Sequence, residues 1–82
     1  MNKPVLSLQQ FILKQEVKKL YRNIFRAIKN VADKHYQEEL KQWARRDFRT
    51  NSHHRDEVVI KMYLQYGQRC LRELENNISL SK

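Results

Sequence analysis

Between residues 13 and 31 the apolar side chains Leu13, Val17, Leu20, Tyr21, Ile24, Ile28 and Val31 recur at spacings of three and four. At about 100° per residue they share an arc of roughly 100° on one helix, a pattern that the two-residue period of a strand cannot produce. Nothing interrupts it, because the chain's one proline is Pro4 and its one glycine is Gly67. A sheet protein needs several tight turns, and the residues that make them are scarce here. Helices joined by short loops are therefore what this sequence can form.

The first helix is expected over about residues 7–32. Its Lys14, Lys18, Arg22, Arg26 and Lys29 fill a second arc of roughly 120°, a basic ridge that begins just past Tyr21. Phe25 lies on the same seam, and Leu8 and Phe11 sit on the basic side, so apolar groups among like charges mark a contact surface. A second helix, about 34–51, follows Asp33 as its N-cap and carries Tyr36, Leu40, Trp43, Ala44 and Phe48 on one arc, with Lys41, Arg45 and Arg49 outside it. Asp47 is the misfit on that arc, and the expectation is that the last turn rotates out of the core and pairs it with a nearby arginine. The run "TNSHH" ends the pattern; Ser52 is available to cap the third helix, and Asp56 and Glu57 suit the positive end of a helix dipole.

The third helix, about 55–78, holds Val59, Ile60, Tyr63, Leu64, Tyr66, Cys70, Leu71, Leu74 and Ile78 on an arc of roughly 160°, wide enough to touch both other helices. Residues 79–82 are expected to fray. Gly67 costs about 1 kcal/mol relative to alanine in mid-helix. It marks close packing, space left for something else, or a tolerated accident. The expected fold is all-α, an antiparallel three-helix bundle in a single domain spanning residues 1–82.

A domain of 82 residues buries only about 60–65% of the surface its unfolded chain exposes, so its core is thin and a partner or ligand would help it. The formal charge of +8, from 17 Lys and Arg against 9 Asp and Glu, points to something anionic: nucleic acid, a membrane surface or an acidic protein. Glu16 is the one acidic residue before Asp33, which makes the N-terminal third strongly basic. A nucleic-acid module is one reading of the ridge, yet no short helix concentrates Arg, Asn or Gln as a recognition helix does. Membrane-surface binding competes with the commitment of the first helix's apolar arc to the core. An acidic protein fits better, and a simply solvated cationic face is the plain alternative.

Enzymatic chemistry finds no support. There is no glycine-rich phosphate loop, no paired-carboxylate motif and no Ser/His/Asp pattern. His53 and His54 are adjacent, so on regular structure their rings diverge, and no ligand-spaced Cys, Asp or Glu stands beside them. His35 reads as a surface residue. The lone Cys70 has no disulfide partner and no sequence-local base, so a buried small hydrophobe is favoured over a nucleophile. No apolar run approaches the roughly 18 residues of a membrane span. The chain's start lacks a secretory h-region and has the basic, acid-poor, amphipathic character of a mitochondrial targeting segment.

Against this background "LYR" at residues 20–22, placed in the first of three helices and followed by "WARRDFRTN" at the end of the second, resembles the mitochondrial LYR-motif family. The resemblance runs over nearly the whole chain, through "LSLQQFILKQEVKKLYRNI", "LKQWARRDFRTN" and "QRCLRELE". It implies a small matrix protein that binds the acylated mitochondrial acyl carrier protein and serves a client, with respiratory complex I favoured over the iron–sulfur cluster machinery and the mitochondrial ribosome. Arg22, with Lys18 and Arg26, would meet the carrier's acidic helix, Tyr21 would hold the seam where the acyl chain enters, and Leu20 of the same tripeptide would belong to the carrier-binding set. Arg45 and Phe48 match the family's Arg-x-x-Phe pattern. Where a further Lys often comes next, this chain has Ser52, leaving Arg49 or His53 to substitute.

The resemblance further implies an acyl-chain channel between the helices, for which the candidates are Val17, Ile24 and Ile28, then Leu40 and Trp43, then Tyr63, Tyr66, Gly67 and Cys70. The cofactor would be the acylated 4'-phosphopantetheine of the partner, with nothing bound directly and no nucleic acid expected. The sequence does not separate an assembly factor from a permanent structural subunit.

Overall fold

A computed structural model describes residues 8–81. It contains three helices: α1 (Leu8–Ile28), α2 (Lys34–Asn51) and α3 (Glu57–Ser81). They form an up-down-up bundle measuring 55 × 19 × 15 Å, in which α1 and α2 run antiparallel and α3 runs alongside α1 in the same direction. The expected first-helix start at residue 7 and the last residue of the expected frayed tail lie outside the described residues.

The helix ends follow from local hydrogen bonds. α1 stops at Ile28 rather than near residue 32 because the backbone tightens there: Asn30 N–H bonds to Ala27 O at 3.0 Å and Val31 N–H to Ile28 O at 3.0 Å, both three residues back. The Gln37 amide then donates to the Ile28 and Lys29 carbonyls at 3.2 Å each, satisfying orphan acceptors of the helix end from the next helix. Asp33 caps α2 as expected, its Oδ1 accepting from His35 N–H at 2.9 Å and Tyr36 N–H at 3.2 Å.

Ser52 does not cap the third helix. It closes α2 instead, donating its backbone N–H to Phe48 O at 2.9 Å and its hydroxyl to Arg49 O at 3.0 Å. Asp56 takes over at the start of α3, accepting from Val58 N–H at 2.9 Å, which moves the start from 55 to Glu57. α3 continues as helix through Ser81, beyond the expected end at 78, so the fraying expected from residue 79 is not seen in 79–81.

α1 is the central element. Its Leu13, Leu20, Tyr21, Ile24 and Ile28 are buried, and Ile24 and Ile28 are the largest side chains sealed from solvent among the described residues. α3 adds Ile60 and Leu64 to this cluster, whereas α2 adds only Ala44, with Leu40, Trp43 and Phe48 partly buried around it. The expectation that α3 would touch both neighbours holds for α1 alone; α2 and α3 scarcely meet. α1 is wedged between them, and the wide apolar arc of α3 looks into the gap that results.

Gly67 resolves to close packing. A Cβ added there would overlap Leu20 Cδ2 at the centre of the α1–α3 contact, so the missing side chain lets the helices approach at this turn. Gly67→Ala is expected to lower stability by about 1 kcal/mol, because overpacking outweighs a gain of about 1 kcal/mol in helix propensity. In a Leu20→Ala background the overlap is gone, and the same glycine-to-alanine change becomes stabilising by about 1 kcal/mol. Urea denaturation of the four proteins of this cycle measures the reversal.

Candidate functional site

Successive helical residues point about 100° apart, and Leu20, Tyr21 and Arg22 use that divergence. Leu20 is buried against Gly67 of α3, Tyr21 is buried toward α2, and Arg22 is exposed. The Tyr21 ring meets Phe48 edge-on, with centroids 5.0 Å apart and planes at 63°. Its hydroxyl donates a hydrogen bond to Asp47 Oδ2. The partner of Asp47 is thus a tyrosine of α1 and not an arginine. The last turn of α2 stays against the bundle because a half-buried carboxylate finds its donor there. Burial, followed by the Asp47 hydrogen bond, pushes the Tyr21 hydroxyl well above the usual tyrosine range, while the nearby Asn51 amide opposes the shift.

Outward of this contact, α1 and α2 form a groove of about 450 Å³. Its floor is aromatic, made by Tyr21, Phe25 and Phe48, and its rim is cationic, made by Lys18 and Arg22 from α1 with Arg45 and Arg49 from α2. The Arg45 guanidinium carbon lies 6.0 Å from the Phe25 ring centroid, a cation–π approach. None of the four cations forms an ion pair among the described residues. A concave surface with an apolar floor and unneutralised positive charge on both walls suits an acidic helix or a phosphate group.

The expected docking residues therefore converge, with two exceptions. Leu20 faces the opposite side, and Arg26 is exposed without lining the groove. Of the two substitutes for the family's extra lysine, Arg49 lines the groove and His53 does not, while Ser52 stands at its edge.

The channel candidates do not form one cavity. Ile24, Leu40, Trp43 and Cys70 line a cleft of about 340 Å³ between α2 and α3, together with Tyr36, Leu71 and Leu74, which the channel candidates did not include. Val17 and Tyr63 line a crevice of about 10 Å³ with Leu20, Tyr21, Asn51 and Ile60. Ile28 is fully buried packing, Gly67 is filled by Leu20, and Tyr66 is half-exposed despite its place on the apolar arc. The Cys70 thiol, one turn on, raises the Tyr66 hydroxyl's pKa. Along α1 the order Val17, Tyr21, Ile24 puts the crevice before the cleft, with the Tyr21–Asp47 contact between them.

Elsewhere the titratable groups are ordinary in their placement. His54 stacks on Tyr63 at 5.1 Å, and exposed His35 lies 3.8 Å from Glu39. Among the described residues no group of three or more His, Cys, Asp or Glu could hold a metal ion, and no helix is long and apolar enough to cross a membrane.

Residues 15–73 match the family described as Complex 1 protein (LYR family). The chain belongs to the LYR family. Its similarity to LYR motif-containing protein 2 of Xenopus tropicalis is 40% identity over 77 residues, covering 94% of this chain and 88% of that protein. LYR motif-containing protein 2 of Homo sapiens is 39% identical over 77 residues with the same coverage, and that of Danio rerio 36% over 76 residues, covering 93% and 86%. No solved structure matches the chain. In the terms of this LYR family, the tripeptide is where α1 turns from its α3 contact through its α2 contact to the basic rim.

Tyr21→Phe is expected to cost about 1.5–3 kcal/mol at neutral pH, the range for a hydrogen bond to a charged group. Because the hydroxyl's pKa is raised on folding, this stabilisation is complete below the unfolded value of about 10 and is lost as pH rises through the folded value. The stability difference between the wild type and Tyr21→Phe, measured by urea denaturation, should therefore be constant near neutrality and shrink above about pH 10.

Proposed function

We propose that this LYR-family chain is a non-enzymatic adaptor of the mitochondrial matrix, one that binds the acylated mitochondrial acyl carrier protein and supports assembly of a respiratory complex. The observation that carries the reading is the groove between α1 and α2, where Lys18, Arg22, Arg45 and Arg49 stand around an aromatic floor with no ion pair among the described residues. An acidic carrier helix would meet cations on both walls there. The acyl chain would then run past Tyr21 into the cleft beside Ile24, Leu40, Trp43 and Cys70. Respiratory complex I as the client accords with the family's description as a Complex 1 protein.

The energetics divide the work. A chain of about ten methylenes gains up to several kcal/mol at roughly 0.8 kcal/mol per buried CH2, whereas an exposed ion pair contributes about 0–1 kcal/mol. The hydrocarbon supplies affinity, and the cations supply steering and register. Filling the cleft also adds the apolar contacts that α2 and α3 lack with each other, so the loaded carrier stabilises the bundle by mass action.

The test is coexpression with the carrier in its native form and in a form whose phosphopantetheine-bearing serine is replaced, followed by intact mass analysis. A stoichiometric complex carrying a long acyl group, lost with the serine variant, is expected. Arg22→Glu combined with Arg45→Glu should weaken binding at physiological salt by roughly tenfold or more and flatten its salt dependence. Trp43 is the single tryptophan and lines the cleft, so its emission should shift to the blue as acyl length grows. Equal binding of both carriers would rule out the acyl-dependent mechanism, and charge reversal without effect would rule out docking at the groove; a steep salt slope with RNA or DNA would favour a nucleic-acid module instead.

A further inference from the structure

Val58, Met62 and Tyr66 follow one another at intervals of four along α3 and are 64%, 63% and 49% exposed. Single apolar residues on a surface are ordinary, but three at this spacing make a ridge of the kind that packs into the groove of another helix. The ridge lies away from Ile60, Leu64 and Gly67, which α3 turns to α1. No residue of α3 lines the groove between α1 and α2, so the two surfaces are separate.

Their charge differs as well. Within α3 the acidic Glu57, Glu73 and Glu75 balance the basic Lys61, Arg69 and Arg72, whereas α1 and α2 each carry a net positive charge. The exposed cations that bracket the ridge are Arg55, three residues before Val58, and Arg69, three residues after Tyr66. Neither forms an ion pair among the described residues. The Gln10 amide donates to the Arg55 carbonyl at 2.8 Å and so ties that end of the ridge to α1.

We propose that the outer face of α3 is a second protein interface, taking an amphipathic helix of another protein whose apolar stripe is bounded at both ends by carboxylates. Those carboxylates would stand roughly 20 Å apart to meet Arg55 and Arg69. A second copy of this chain fits poorly. The face is symmetric about Met62, so an antiparallel pair would set Arg55 of each copy against Arg69 of the other, like charge on like, between chains of formal charge +8. A lipid surface would be drawn to the net positive α1 and α2 and not to a neutral helix. Because the groove stays free, a helix here and a carrier there bind the chain together.

The experiment sets a photoreactive benzoylphenylalanine in place of Met62 in the full chain, in intact cells, with the same group in place of the exposed Gln42 of α2 as control. Mass spectrometry of the crosslinked peptide should show a segment of a different protein with Asp or Glu on both sides of an apolar stripe, absent from the control. That segment, made as a peptide, should bind the purified chain. Met62→Glu, and Arg55→Glu combined with Arg69→Glu, should each weaken the binding roughly tenfold or more while leaving carrier binding and thermal stability unchanged. The crosslink itself needs neither variant to fold. A crosslink to a second copy, to a phospholipid, to the carrier or to a segment without acidic flanks would overturn the proposal. So would a yield no higher than the control's, or a peptide indifferent to both sets of changes. A wild type that binds no carrier overturns the carrier reading alone, because the crosslink at position 62 does not depend on it.

Discussion

The hold of α2 on the rest of the bundle depends on Tyr21. α2 contributes Ala44 as its one buried apolar side chain, and its contact with α3 is slight. What fixes its register is a small set of contacts on one turn of α1: the Tyr21 hydroxyl on Asp47, the Tyr21 ring against Phe48, and Arg45 over Phe25. Hydrogen bonds and ring contacts are directional where hydrophobic burial is not, so they set an angle as well as a distance. The same turn therefore decides how widely the α2–α3 cleft stands open.

This arrangement makes the groove and the cleft two sides of one object. The aromatic floor of the groove is the outer surface of the Tyr21–Phe48 contact, and the crevice and cleft lie behind it. A ligand that engages the cations on the rim therefore pulls on the residues that hold α2 in register. Long basic side chains can cover apolar surface with their stems while keeping their charge in water, and this lets Lys18 and Arg22 border an aromatic surface without desolvating. The thin core expected of so short a chain is distributed accordingly, dense where α1 meets α3 and sparse where α2 faces α3.

Much of this was readable from the residues. The α1 stripe, the Asp33 cap and the place of the tripeptide on the border of two faces all come from 100° geometry, which is local. What the sequence could not supply was inter-helical. Asp47 looked like a misfit because its donor lies 26 positions earlier in the chain. Asn51 reads as a loop-breaking residue in "TNSHH", and nothing local says that both of its polar atoms are buried. The width of the α3 arc announced more apolar surface than one neighbour covers, but an arc width does not say whether a second helix or an open cleft faces it. For the same reason the channel candidates divided between cleft, crevice and packed core.

The tripeptide gains its meaning from this geometry. Three consecutive helical positions diverge by about 100° each, so one turn can face three surroundings at once. Leucine is apolar and unbranched at Cβ, and it fits the hollow that Gly67 leaves on α3. Tyrosine alone among the large aromatics combines a ring that can pack on Phe48 with a hydroxyl that can reach Asp47. Arginine keeps its charge at any physiological pH and presents a planar fork to whatever acidic group enters the groove. Phenylalanine in the middle position would keep the ring contact and leave Asp47 without its donor; lysine in the third would keep the charge without the fork. Replacing any one of the three thus disturbs a different partner. The motif is the point where packing, register and exposed positive charge meet on a single turn of α1.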